Sequence, residues 1–186
     1  VQAGAEVVKI ERPEGDFARG YDTAVAGNSS YFVWLNAGKK SVVLDLRRSD
    51  QVALLSRLIV QSDIFIQNLK PGALAKFGFE LDALHAEHPC LISMSISGFA
   101  EDGPGRHRKA YDLLMQAESG LSAITGSHHA AGRVGVSLVD IATGQFAYEA
   151  ILGALIQRGQ NGRGAKLSVS LFDAVAQWLA VPYLLD

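Results

Sequence analysis

Short β-branched and apolar runs alternate with stretches of helical periodicity along this chain, and turn-forming residues separate them. Residues 5–11 (Ala5-Glu6-Val7-Val8-Lys9-Ile10-Glu11) form a first run, closed by Arg12-Pro13-Glu14-Gly15-Asp16, and read as a strand and its turn. Residues 41–46 read as a second strand. Ser49-Asp50 then opens Val52, Leu54, Leu55, Leu58 and Ile59, spaced as one face of a helix. Residues 63–67 (Asp63-Ile64-Phe65-Ile66-Gln67) predict a third strand, so that 41–67 reads as a βαβ unit. After Pro71-Gly72 comes a helical patch at 81–87, and a fourth strand follows at 90–96, before a glycine-containing loop at 98–108. Helices are expected over 111–119 and 141–158, a tight turn at Gln160-Asn161-Gly162-Arg163-Gly164, a strand at 166–170 and a last helix over 171–185. The pattern is α/β: a Rossmann-like doubly wound parallel sheet with flanking helices, with no repeat, low-complexity segment or dividing linker.

Composition narrows the partners. The 186 residues carry 17 Lys+Arg against 19 Asp+Glu, a formal charge of −2, and 48% are hydrophobic. A chain of this length buries roughly 70% of its unfolded surface and fits one domain. Phosphate-backbone binding needs an excess of basic charge, so nucleic acid is not expected. Polar residues interrupt each apolar stretch before the roughly 18–20 positions of a membrane span, so no membrane partner is expected. The single cysteine, Cys90, excludes an internal disulfide and a cysteine-rich metal site; it reads as an inert core thiol, and a reducing, cytoplasmic setting follows as the default. The chain opens on Val1-Gln2-Ala3-Gly4 and closes on the apolar Trp178 to Leu185 segment, which together suggest a piece of a longer protein.

Ligands of open parallel sheets bind beyond the carboxyl ends of the strands. Arg12 follows the first strand, Arg47 and Arg48 the second, Asn68 and Lys70 the third with Lys76 beyond, and Arg106, Arg108 and Lys109 the fourth. Cations recurring at one edge of a chain without net positive charge suggest an anionic, phosphorylated ligand. No Walker A sequence or G-x-G-x-x-G is present, so nucleoside triphosphate and dinucleotide binding have no motif support. Asp140 stands at the start of a long helix, where it either caps that helix or serves as nucleophile or base. The adjacent His128-His129 pair lacks a spaced carboxylate and reads as a loop rather than a metal site, and Ser137 and Ser170 lack a hydrolase context.

These segments together resemble a known family. Gly4-Ala5-Glu6-Val7-Val8-Lys9-Ile10-Glu11, Leu35-Asn36-Ala37-Gly38-Lys39-Lys40-Ser41, Gln67-Asn68-Leu69-Lys70-Pro71-Gly72, Tyr111-Asp112, Asp140 and the 160–164 turn resemble the class III coenzyme A transferases, the formyl-CoA transferase (CaiB-BaiF) group, over essentially the whole chain. The resemblance implies that residues 1–186 are the large CoA-binding α/β domain of such an enzyme, lacking its first strand and helix and its C-terminal half. It implies transfer of CoA from an acyl-CoA to a free carboxylic acid (EC 2.8.3.-) through an aspartyl-CoA intermediate on Asp140. CoA would enter as substrate, with no permanently bound cofactor and no metal, in an interlocked homodimer. The family's CoA-contacting positions fall on Arg12, Leu44, Arg47, Asn68, Leu69, Lys70, Lys76, Lys109, Tyr111 and Asp112. Leu69 stands where an aromatic is common, and Gly159 replaces a usual charged residue. Acyl-CoA racemases resemble the chain too, but carry His where Tyr111 stands. The Gly135 to Gly144 and Trp178 to Tyr183 segments look most like members acting on small dicarboxylates. A third reading is a CoA-binding piece without activity.

Overall fold

The structure, a computed structural model, describes residues 1–127 and 129–185, so His128 lies outside the described residues. Two compact units divide the chain, Val1–Leu58 and Ile59–Asp186.

In the first unit, strands β1 (Val8–Glu11) and β2 (Lys40–Val43) pair in parallel, Val8 opposite Lys40 and Glu11 opposite Val43. Helix α1 (Ser30–Asn36), unanticipated from the sequence, lies between them. Asp22 fixes its start by accepting from the Ser30 N–H (2.9 Å) and hydroxyl (2.8 Å), while the Ser29 hydroxyl caps Phe32 N–H. Glu11, only 5% exposed, accepts from Arg19 (3.1 and 3.2 Å), the Ser41 hydroxyl (2.8 Å) and the Asp16 N–H (3.1 Å). The Arg19 guanidinium lowers the Glu11 pKa below its ordinary value, more than burial raises it. Lys9 pairs with Asp16, and Arg19 stacks 3.8 Å from the Phe32 ring centroid.

Helix α2 (Ser49–Val60) carries the chain across the boundary, which is why no linker is visible there. The expected βαβ unit over 41–67 is corrected. β2 pairs with β1, and the next strand pairs elsewhere, so α2 connects two sheets instead of crossing between neighbours.

In the second unit β3 (Ile64–Gln67), β4 (Ile92–Ser97) and β5 (Lys166–Ser170) form a parallel sheet in the order β3-β4-β5. Helix α3 (Leu81–Glu87) joins β3 to β4; α4 (Asp112–Glu118), α5 (Leu121–Thr125) and α6 (Leu138–Asn161) join β4 to β5; α7 (Leu171–Trp178) and α8 (Ala180–Leu185) follow. Strand alternation sorts the two faces. Met94, Ile96, Leu167 and Val169 point to α6 and pack on Ala147 and Ile151. The opposite face receives α3, whose His85 meets the Ser93 hydroxyl (3.0 Å) and whose Asp82 pairs with Lys166. Helices thus cover both faces, as doubly wound topology requires. Each large apolar side chain fully buried here contributes about 1.5–3 kcal/mol.

Near the end of α6, Arg158 donates to Asp63 Oδ1 (2.9 Å) and to the Cys90 carbonyl (3.1 Å), just ahead of β3 and β4. So α6 runs antiparallel to the strands, and its first turn, roughly 27 Å back along the axis, lies at their carboxyl edge. By length and composition α6 could cross a bilayer, yet Ala147 and Ile151 seat it on the sheet and Arg158 anchors its end. Gly164, past the α6 C-cap at Gly162, comes so close to β4 that a Cβ there would sit 1.9 Å from the Leu91 carbonyl oxygen. Cys90 is exposed, contrary to the expected core thiol, because it precedes the strand and donates outward to the Gly162 carbonyl at 3.1 Å. The expected single last helix is two, since the Pro182 ring would clash with the residue 178 carbonyl in a continuous helix.

Candidate active site

The loop after β4 is pinned at its base. A Cβ on Gly98 would lie 2.1 Å from the Ala110 Cβ, so only glycine lets the two ends of the 98–110 excursion meet. Phe99 stacks on Phe172 at 5.4 Å, and the Gly98 carbonyl accepts from Phe172 N–H (3.1 Å). The chain is thereby delivered from the end of β4 to Tyr111 and Asp112 at the start of α4.

Asp112 reaches across to α6. Its Oδ1 accepts from Val139 N–H at 2.7 Å and Asp140 N–H at 3.4 Å, and its Oδ2 from Gln116 Nε2 at 2.7 Å. Helix α6 has no local side-chain cap, since the Ser137 side chain makes none. A carboxylate from another helix takes that role, which the macrodipole and the unfilled amides both favour. Asp140 therefore does not cap its own helix. It sits in the first turn, exposed, and among the described residues its carboxylate accepts no hydrogen bond. Its pKa lies above the ordinary carboxylate value, first because the surrounding protein displaces hydrating water, second because Asp112 is close and of like charge. The side chain is still open to solvent.

The first-turn amides are not open to a developing oxyanion, because Leu138 N–H is taken by Val136 O (2.7 Å) and Val139 and Asp140 N–H by Asp112. What the helix end supplies is a fixed platform for Asp140.

The other sequence-derived positions divide between the units. In the first, Arg12 follows β1, exposed, its Nε donating to the Gly15 carbonyl (2.9 Å). Leu44 follows β2, buried, its N–H on the Glu11 carbonyl (2.8 Å). Arg47 is closed onto Asp45 by two bonds of 2.7 and 2.9 Å. In the second, Asn68, Leu69 and Lys70 form the loop after β3. Gln67 braces it by accepting from Leu69 N–H (2.8 Å) and donating to the Ser95 hydroxyl (3.0 Å). Lys76 lies on a short 3-10 turn, Ala75–Phe77, and Lys109 and Tyr111, the latter 67% exposed, precede α4. Some of these cations are already neutralised within their own unit. Arg48 pairs with Asp50 and Arg108 with Glu118, as Arg47 does with Asp45, whereas Lys70, Lys76 and Lys109 make no ion pair among the described residues.

A cleft of about 500 Å³ opens beside the carboxyl ends of β4 and β5, lined by Ser97, Glu101, Asp102, Phe146, Ser170 and Asp173 among others. None of the sequence-derived positions lines it, and its three carboxylates have the wrong sign for phosphate. Asp112 and Asp140 lie outside it. The residue that sequence reasoning missed is Gln116, buried one turn along α4 from Asp112; its i, i+4 spacing was the available signal.

The model of CoA-transferase family III matches residues 1–185. The chain belongs to CoA-transferase family III. Among its family III relatives, the acetyl-CoA:oxalate CoA-transferase of Acetobacter aceti is 38% identical over 179 residues, covering 95% of this chain and 46% of that protein. The succinyl-CoA:glutarate CoA-transferase of Mus musculus is 37% identical over 174 residues, covering 92% and 40%. A crystal structure of a CAIB/BAIF family protein from Brucella suis superimposes with a TM-score of 0.91 at 36% identity, covering 98% of this chain and 51% of that one. The chain spans about half the length of the relatives it matches.

Proposed function

We propose that the protein transfers CoA from an acyl-CoA thioester to a small dicarboxylic acid, with Asp140 as nucleophile. The observation that carries this reading is the state of Asp140. It is an exposed carboxylate of raised pKa, fixed through its own backbone, whose oxygens accept no hydrogen bond among the described residues. A carboxylate that keeps its lone pairs free and gains basicity is a better nucleophile. An Asp140 oxygen attacks the donor carbonyl carbon, the C–S bond breaks, and CoA leaves as thiolate from a mixed anhydride. The thiolate then attacks the Asp140 carbonyl carbon and expels the donor acid, leaving an aspartyl-CoA thioester. An acceptor carboxylate attacks that thioester and releases the thiolate; the thiolate attacks the acceptor carbonyl of the new anhydride, giving acceptor-CoA and free Asp140. No proton is gained or lost overall.

CoA is a substrate in this scheme and no resident cofactor or metal is required. Its phosphates are assigned to Lys70, Lys76 and Lys109 in the second unit, with Asn68, Leu69, Tyr111 and Asp112 completing the contacts there. Arg12, Leu44 and Arg47 are candidate contacts within the first unit by itself, where an exposed ion pair contributes only about 0–1 kcal/mol, so phosphate can displace Asp45 from Arg47. The dicarboxylate class is supported by relatives named as CoA-transferases of oxalate, glutarate and malate. The homodimer belongs to the same proposal. The test is a panel of acyl-CoA donors and dicarboxylates assayed in deuterated water with the complete protein. Acceptor-CoA formation without α-deuteration is expected; α-deuteration without any acceptor acid would establish a racemase instead.

A further inference from the structure

Gln116 is 1% exposed, and its carboxamide is used at both ends. Nε2 donates to Asp112 Oδ2 at 2.7 Å, and Oε1 accepts from Val134 N–H at 2.8 Å. The Val136 and Val134 carbonyls stand 3.4 and 3.5 Å from Nε2, at the far limit for a bond. Residues 131–137 have no helix or strand pairing; Gly132 N–H is held by the Ser122 carbonyl, and the Val136 and Ser137 carbonyls accept from Leu138 and Ile141, while Val134 N–H is held by Gln116. Beyond them, the other oxygen of Asp112 holds Val139 and Asp140 N–H. Among the described residues, every hydrogen bond of this one buried side chain thus falls on the stretch that leads into Asp140 or on the carboxylate that grips its backbone. Behind it, Met115 of α4 and Val139 of α6 lie in one buried cluster.

We infer that Gln116 is a positioning residue: through Asp112 and Val134 it sets where the first turn of α6 presents the Asp140 carboxylate. The inference rests on the reading of Asp140 as nucleophile. A general fold role would require the carboxamide to bridge elements remote from the reacting group, whereas both of its short bonds converge on the approach to residue 140. Misplacement of a nucleophile by about 1 Å costs on the order of 100-fold in rate.

The test compares wild type, Gln116→Glu and Gln116→Met in the complete protein. Gln116→Glu keeps the acceptor for Val134 N–H but sets a second carboxylate against Asp112; Gln116→Met removes both bonds at similar volume. The readouts are kcat, KM for acyl-CoA, thermal melting, and the single-turnover rate at which acyl-CoA with hydroxylamine marks Asp140. The expected result is a fall of roughly 10- to 100-fold in kcat and in the marking rate of both variants, with KM within about twofold of wild type. Unchanged kcat per folded molecule with a lowered melting temperature would overturn the inference, as would a change confined to KM. If both variants melt below the assay temperature, Gln116 is a stability residue only and the inference is wrong. If wild type itself is never marked at Asp140, the nucleophile reading fails first, an outcome distinct from a marked wild type and equally marked variants.

Discussion

Asp112 and Asp140 stand 28 positions apart and meet at one helix end, yet their removal should have opposite consequences for stability. In Asp112→Ala, the Val139 N–H, on a residue that is 0% exposed, loses its acceptor, and the 1% exposed Gln116 Nε2 loses its short partner. Loss of a helix cap costs about 0.5–2 kcal/mol. A buried donor left unpaired costs about 1–3 kcal/mol. The two overlap where Gln116 falls back on the Val136 carbonyl, so a total of roughly 2–4 kcal/mol is expected. For a protein of this size that lowers Tm by roughly 5–15 °C. Asp140→Asn should do the reverse. Its folded pKa is raised, so the stability linked to its proton is complete below the unfolded value near 4 and is lost as pH rises through the folded value. At neutral pH the asparagine variant should therefore match or slightly exceed wild type, and the difference should vanish in acid. Urea denaturation of the three proteins at pH 7 and near pH 4 measures this. A loss below about 0.5 kcal/mol for Asp112→Ala, or equal losses for both variants, would refute the assignment of cap and nucleophile.

Three further outcomes follow from the same geometry. Gly98→Ala places a methyl 2.1 Å from the Ala110 Cβ and should cost at least about 1–3 kcal/mol, read by thermal melting; a variant that melts with wild type would mean the loop base is loose. The Glu11 pKa is lowered, so its contribution is complete above the unfolded value near 4.3 and is lost as pH falls through the folded one. Acid titration of stability should be shallower in Glu11→Gln, and an unchanged acid limb would count against the Arg19 pairing. Cys90, being exposed, should react with a thiol reagent in the native state at a rate unaffected by mild urea; reaction only after unfolding would restore the core reading.

Much of the fold was legible because its signals are local. The strand at 166–170 and the helix at 81–87 carry their turn residues beside them, and the observed bounds coincide with those read from the sequence. Helix α1 was not legible. Tyr31-Phe32-Val33-Trp34 is as suited to a strand, and the cap that decides the matter includes Asp22, eight residues before Ser30. Strand partnership was misread at 41–67 because periodicity identifies a strand without identifying its neighbour. At the site, the carboxylate at position 140 was visible from its place before an apolar helix. Its freedom from capping was not, because the substituting carboxylate, Asp112, lies 27 residues from the Val139 amide that it holds. The cationic edge was read from residue types alone, and only side-chain geometry separates Arg47, closed on Asp45, from Lys70.

The central claim is that Asp140 becomes acylated. Incubation of the complete protein with acyl-CoA, quenching with hydroxylamine and peptide mapping by mass spectrometry tests it most directly. The account requires a hydroxamate on Asp140, dependent on the acyl-CoA and abolished in Asp140→Asn. A hydroxamate on another residue, or transfer activity that survives Asp140→Asn without any modification, would contradict it.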